Sequence, residues 1–475
     1  MASFKTKFLK KANIYRDVIH DTITTTVVAS AIINSPYFQR LRYLQQLGVC
    51  FLVFPSANNK RFEHSIGTYH LVEKLLVNII NNSDIKEINS SLLKVPFINE
   101  YVSNMNHNCE NDSKLLLDDY IIELVKIAGL CHDLGHGPLS HLFDEWLLKQ
   151  TDLTHCDMVH HENRSIRILQ EIINTTNVCD TSLTSFIDKN AFNFIAELIN
   201  PTKDTPNNFI FQIVSNNING LDVDKLDYIC RDSFYLGLNT SFQFTRIINN
   251  VKVINDNICF PEKNSYDVLK VFRKRYDLHK QFYNHKTVIC IELLIKRILD
   301  RLDTLINIKS IFTDGFNVDR FNELTDATIF NTTSTLLSFT SESIDDGTIA
   351  NIMFINNILK NIHSRNLYKN VYFKVVSVIE QINEEDEINK FIKNNSQYNK
   401  NELIPITIKI GFLSGNKSHP FDYIYFYDKK DKCSTLPLES ISLLTNETYQ
   451  EKLFFIVYTN HLIKLYLYIL CIFYK

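Results

Sequence analysis

At 475 residues the chain is long enough for one large domain with a smaller lobe, or for two to three domains. Hydrophobic residues make up 45% and charged residues 22%, an ordinary balance for a globular protein with a sizeable core, and a net charge of −3 excludes bulk attraction to nucleic acid. The ten cysteines form no C-x-x-C pair and the start, "MASFKTKFLKKANIYRD", has no apolar signal core, so a reducing intracellular compartment is expected.

Along the chain, the basic start (Lys5, Lys7, Lys10, Lys11) offers charge to phosphates, but a terminal charge run is usually just solvated. "RFEHSIG" then supplies Arg61 and His64. An Asn-rich stretch over 99–113 has the composition of a surface loop. From 115 to 133, "LLLDDYIIELVKIAGLCHD" repeats apolar residues at three- and four-residue spacing and predicts a helix, as does "HENRSIRILQEIIN" over 161–174. Between them, His132 and Asp133 end the first helix, Gly135, Gly137 and Pro138 break the chain, and a new helix is expected to begin near Pro138. That second helix would carry His141 and Asp144 on one face. "GLDVDKLDYICRDS" brings Asp222, Asp224 and Asp227. A second Asn-rich loop is expected at 393–402, followed by alternating runs, "IPITIKIGF" and "FDYIYFYDKK", that read as strands. The terminal "LYLYILCIFYK" is apolar but too short for a bilayer, which needs about 20 residues, so a buried element and no membrane partner are expected. The expected fold class is mainly α, with a smaller mixed α/β lobe at the C-terminus.

Three of the 15 histidines, His132, His136 and His141, fall within ten residues. The His-Asp dipeptide alone is weak, because His20-Asp21 repeats it without the surrounding pattern. A divalent ion held by two imidazoles and two carboxylates would take His64, the His132-Asp133 dyad and one of Asp222, Asp224 or Asp227. Such a nitrogen and oxygen set suits iron, manganese, zinc or magnesium with positions left for water and a phosphate oxygen. No Gly-rich phosphate loop of the Walker type is present, which argues against a kinase or ATPase.

The ordered series "RFEHS", "CHDLGHGPLSH", "HHE" and "DVDKLDY" resembles the HD-domain phosphohydrolases, and most closely the SAM-and-HD-domain deoxynucleoside triphosphate triphosphohydrolases. The likeness runs from "NSPYFQRLRYLQQLG" through "RYDLHKQFYNHK" to "SRNLYKNV" and covers most of the chain. It implies an HD-domain helical core over 1–305 and a C-terminal α/β lobe over 306–475, without the sterile-α-motif domain. It makes His64, His132, Asp133 and Asp224 the metal ligands and sets His136, Asp144 and His161 beside the scissile phosphate. Arg61, His141, Lys225 and Arg275 would hold the triphosphate, and Gln46, Tyr228, Asp232, His279 and Tyr283 would complete the substrate pocket. Leu47 and Tyr283 would fill the 2′ side, a steric reason to prefer deoxyribose. Asn284 stands where the family usually has Gln.

The implied activity is hydrolysis of a dNTP to the deoxynucleoside and inorganic triphosphate, with His161 or His136 as general acid. The alternatives are an HD phosphodiesterase or nuclease on oligonucleotides, for which the chain shows no basic track, and a catalytically silent nucleotide or single-strand binding protein. The resemblance also implies a homo-oligomer, dimer or tetramer, assembled around a nucleotide effector by Asn34, Gln39, Arg42, Arg246, Lys263, His285, Lys286, Arg365 and Lys369. The effector positions depart from the family: Asn34 replaces an Asp that reads guanine, Asn13 a Lys, Arg16 an Asn and Pro261 an Arg.

Overall fold

The computed structural model describes residues 2–105, 115–178, 180–238, 244–313, 315–339, 345–412, 419–442 and 449–459. Near the start, strand β1 (Lys11–Asp17) pairs antiparallel with β2 (Asp21–Thr26) through a tight turn. Thr26 then caps α1 (Val27–Ile33), its hydroxyl oxygen accepting from the Ala29 N–H at 3.1 Å. The long α2 (Arg61–Asn82) begins where Glu63 reaches back to accept the Lys60 N–H at 2.6 Å, and it buries Phe62, Ile66, Tyr69, Leu76 and Ile79 along one stripe. Helix α3 (Asp119–Cys131), capped by Asp118 onto the Ile121 N–H, packs against it. They approach closely at Gly129, where a Cβ would lie 2.8 Å from Val72 Cγ2, and Thr68 donates to the Gly129 carbonyl at 2.7 Å.

After α3 the chain makes an irregular junction before α4 (His141–Leu147), α5 (His161–Thr175) and, further on, α6 (Val223–Tyr235). The new helix starts at His141 rather than near Pro138. Leu139 and Ser140 hold φ of 58° and 60°, a left-handed conformation costly for residues with a Cβ, so helical geometry cannot begin there. Their strain is offset by specific contacts. Asp326 accepts the Leu139 N–H at 2.7 Å, and the Ser140 hydroxyl donates to the Gln45 carbonyl at 2.6 Å.

Helices α7 (Ser265–Leu278) and α8 (Lys286–Ile306) complete the helical body, which makes the protein mainly α. A four-stranded sheet joins β3 (Lys252–Ile254) and β4 (Asn257–Pro261) to β7 (Tyr425–Tyr427) and β8 (Cys433–Thr435), with β4 and β7 parallel. It crosses the division expected at residue 305. A separate three-stranded antiparallel sheet has β9 (Gln450–Tyr458) between β5 (Lys369–Ser377) and β6 (Leu403–Gly411). Of the run expected to form a strand over 421–430, only Tyr425–Tyr427 does so, because Pro420–Tyr423 turns as a 3₁₀ helix. Residues 99–105, expected as loop, end the helix Pro96–Met105, where Ile98 anchors them in the core. Residues 106–113 and the apolar terminus at 465–475 lie outside the described residues. No described helix is long and apolar enough to cross a membrane.

The first turn of α5 leaves no room at Gly135, where a Cβ would lie 2.1 Å from the His161 carbonyl oxygen and 2.5 Å from the Ser165 nitrogen. Gly135→Ala should therefore lower stability by about 1–3 kcal/mol, because backbone has to move. An unchanged urea midpoint would contradict this packing.

Candidate active site

Four side chains from two helices and the junction converge on one point. His64 lies one turn into α2, His132 and Asp133 follow α3, and Asp224 sits in the first turn of α6, which Asp222 caps through the Lys225 N–H. His64 Nε2 is 3.1 Å from Asp224 Oδ1 and 3.5 Å from Asp133 Oδ2. His132 Nε2 is 3.5 Å from an oxygen of each acid. Both rings are fixed from behind. His64 Nδ1 donates to Asp227 at 2.8 Å and His132 Nδ1 to the Gly129 carbonyl at 2.8 Å, so each ring presents its Nε2 to the acids.

This donor set fits a divalent cation. His132 Nε2 is buried with no hydrogen-bond partner among the described residues. Burial opposes the charged form of His64, yet the hydrogen bonds it donates to Asp224 and Asp227 outweigh that and raise the imidazole to about 10. The carboxylates gathered here favour positive charge at this point, which a bound cation would also supply. The choice among the three acids of "DVDKLD" follows from their partners. Asp222 is committed to the cap and to Lys225, and Asp227 is wholly buried in other hydrogen bonds, which leaves Asp224 facing the imidazoles.

Beside this cluster lies a second one. His136 Nε2 is 3.3 Å from Asp133 Oδ1, and its Nδ1 is 3.0 Å from Asp144 Oδ2. The rings of His136 and His161 stack with centroids 3.9 Å apart, and His161 Nδ1 is 3.5 Å from the same Asp144 oxygen. Exposed His141 stands edge-on to His136 at 5.0 Å. Burial and the His136 charge hold the His161 imidazole well below its ordinary range. Burial alone would raise Asp144, but the Arg164 guanidinium bonded to it and the nearby His136 keep it ionised far below the usual range. Arg164 was not singled out in the sequence, although it lies three residues after His161 on the same helix. It also braces the junction by donating to the Gly135 carbonyl at 2.6 Å.

The remaining pocket residues lie around these clusters. Buried Arg61 bonds Asp133 and donates to Ser140 at 2.8 Å, while its Nη2 has no partner among the described residues. Lys225 pairs with Asp222 at 3.2 Å, Arg275 donates to the Gly411 carbonyl at 2.6 Å, the His279 ring stands edge-on to Tyr283 with centroids 4.9 Å apart, and Tyr228 is half-buried against the core. Tyr283 donates to Asp232 at 2.5 Å and Asn59 to its other oxygen at 2.8 Å. Burial, against those two bonds, pushes the Asp232 carboxyl up to about 6. Gln46 keeps a buried side-chain oxygen with no described partner, and Leu47 is half-buried against the core.

The residues expected to bind an effector are spread over several elements of the chain. Gln39 donates to the Ile33 carbonyl, and Arg42 donates to Gln39 and covers the Phe62 ring. Asn34 borders a cavity of about 870 Å³ that Asn13, Ser30, Tyr37 and Asp319 also line. Arg246 pairs with Asp267 at 3.4 Å on another surface, where Lys263 is exposed. His285 caps α8 beside exposed Lys286, Arg365 donates to the Leu52 carbonyl, and Lys369 opens β5.

No protein-family model matches the chain. It is 37% identical over 462 residues to a putative HD domain-containing protein of Acanthamoeba polyphaga mimivirus, covering 94% of this chain and 93% of that one. It is 33% identical to the deoxynucleoside triphosphate triphosphohydrolase SAMHD1 homolog of Dictyostelium discoideum, over 94% of this chain and 77% of the relative. With the SAMHD1 triphosphohydrolase of Bos taurus it shares 30% identity, over 93% and 74% of the two chains.

Six residues beyond His64, burial with the charges of Lys74 and His20 pushes the His70 imidazole down to about 4, against an ordinary 6.5. A depressed histidine contributes stability that is present above pH 6.5 and lost as pH falls through about 4. Over that window His70→Gln should lose less stability on acidification than the parent, read as urea midpoints. Parallel curves for the two proteins would contradict it.

Proposed function

Because the chain belongs to the SAMHD1-type deoxynucleoside triphosphate triphosphohydrolases of the HD-domain superfamily, we propose that it hydrolyses dNTPs to the deoxynucleoside and inorganic triphosphate. The observation that carries this reading is the convergence of two fixed Nε2 atoms and two carboxylates beside the His136, Asp144 and His161 cluster. His64, His132, Asp133 and Asp224 would hold a divalent ion, with iron, manganese, zinc and magnesium all compatible with the donors. When bound, such an ion supplies Lewis-acid polarisation of a phosphate oxygen and activation of a water.

The chain's own groups do the rest. Arg61, Lys225, Arg275 and His141 would hold the triphosphate, whose charge needs several fixed donors. Water attacks the α-phosphorus, the bond from phosphorus to the 5′ oxygen breaks, and that oxygen takes a proton from His136 or His161. Asp144, kept ionised by Arg164, orients the two rings and stabilises whichever carries the proton. A bound polyanion favours protonation of His161, which burial alone discourages. The bonded Asp232 and Tyr283 would meet the sugar with Gln46, Tyr228 and His279, and Leu47 and Tyr283 would exclude a 2′-hydroxyl by bulk. An intracellular site of action and assembly with further copies of the chain belong to the same proposal.

Metal-loaded protein incubated with each dNTP should release triphosphate, whereas pyrophosphate or monophosphate as the first product would overturn the reading. Replacing both His132 and Asp133 by Ala should remove the metal and the activity together. Full metal occupancy in that inactive variant would show that the dyad does not hold the ion.

We further propose that an effector, if one joins copies of the chain, is not read as guanine at Asn34. A carboxylate would accept from both guanine donors, whereas the Asn34 amide turns one donor against another, a mismatch worth about 1–3 kcal/mol or roughly 5- to 150-fold in affinity. Titration of GTP, dGTP, ATP and dATP against a fixed substrate should show no selective GTP activation. Strong activation by low GTP would contradict it.

A further inference from the structure

Asp227 is wholly buried and accepts four N–H groups. Its Oδ2 takes His64 Nδ1 and Arg231 Nε, both at 2.8 Å, and its Oδ1 takes His20 Nε2 at 2.6 Å and Arg231 Nη2 at 3.0 Å. An ionised carboxylate has about four lone-pair sites, so this one is saturated. Its bond to His64 Nδ1 fixes the orientation of that ring, with Nε2 turned toward Asp224 and Asp133.

The far side of this group is held by the hairpin. Arg231, wholly buried, donates from Nη1 to Asp17 Oδ2 at 2.8 Å. Asp17 Oδ1 in turn accepts the backbone N–H groups of Ile19 and His20, both at 2.8 Å, which fixes the turn between β1 and β2. That turn is what sets the His20 ring against Asp227. The α2 side has been cleared for the same contact, since a Cβ on Gly67 would lie 2.2 Å from Asp227 Oδ1 and 2.5 Å from Arg231 Nη2. Four charged or polar side chains are thus buried for a contact with one ring. Packing alone does not require them, because burying ions costs several kcal/mol each unless geometry repays it.

We propose that His20 is a positioning residue for the metal cluster, acting from the β1–β2 turn through Asp227 to fix the orientation of His64. This rests on the reading that His64 holds a divalent ion. Partners one step removed from a metal are worth about 10- to 100-fold in affinity, and His20 supplies one of the four bonds that hold Asp227.

The test is Mn²⁺ titration of the full chain, with free ion counted by its electron paramagnetic resonance signal and folding followed by circular dichroism. His20→Phe, which keeps the bulk but donates nothing, should weaken Mn²⁺ binding about 10- to 100-fold. His20→Gln, whose amide still donates to Asp227, should recover most of the parent affinity. Equal affinity in parent and folded His20→Phe overturns the proposal, and so does a His20→Gln that binds no better than His20→Phe. Should His20→Phe not fold, Asp17→Asn loosens the same group from its far end, and unchanged Mn²⁺ affinity there overturns the proposal equally. A parent that binds no Mn²⁺, Co²⁺ or Fe²⁺ at this cluster defeats instead the metal reading on which the proposal rests.

Discussion

The structure depends on one electrostatic constraint: three carboxylates gathered around one buried imidazole. Asp133, Asp224 and Asp227 lie within reach of one imidazole, His64, and each needs a cation or a set of N–H donors to be tolerated there. Asp227 is satisfied internally by His20, His64 and Arg231. Asp133 is paired with Arg61 and His136, and together with Asp224 it also faces the Nε2 atoms of His64 and His132. The difference between the saturated acid and the two that face both imidazoles separates scaffold from site.

Much of the backbone can be understood as the means of holding that arrangement. The strained junction at Leu139 and Ser140 brings the His136 ring from the end of α3 to the start of α4 in a few residues. It is held by Asp326 and Gln45, far apart in sequence, and by Arg61, which also bonds Asp133. Arg164 links the second cluster to the same junction through Gly135. The two histidine–aspartate clusters and the junction are therefore one hydrogen-bonded body, built from helices that pack through small residues such as Gly129 and Gly135.

The parts legible in the sequence were those with local grammar. The helix periods of α3 and α5, the His132-Asp133 dyad and the acid run before Lys225 all lie within short windows; the relatives bear out the family, and the structure bears out the mainly α fold. The start of α4 was misplaced because Pro138 is at home in a first helical turn, and nothing local announces that Asp326 captures the next residue in a left-handed conformation. Residues 99–105 read as loop from their asparagines, but Ile98 and Val102 tie that segment to the core as a helix. His20 was set aside because its His-Asp dipeptide lacks flanking pattern. Its partner, Asp227, is 207 residues away, and only the folded hairpin turn brings them together.

At the centre of the functional reading is attack of water on the α-phosphorus, with the 5′ oxygen leaving toward His136 or His161. Hydrolysis of a dNTP in ¹⁸O-labelled water, with both products analysed by mass spectrometry, tests it most directly. Attack at phosphorus predicts one ¹⁸O in the inorganic triphosphate and none in the deoxynucleoside. Label in the deoxynucleoside, or a labelled pyrophosphate released beside a deoxynucleoside monophosphate, would contradict it.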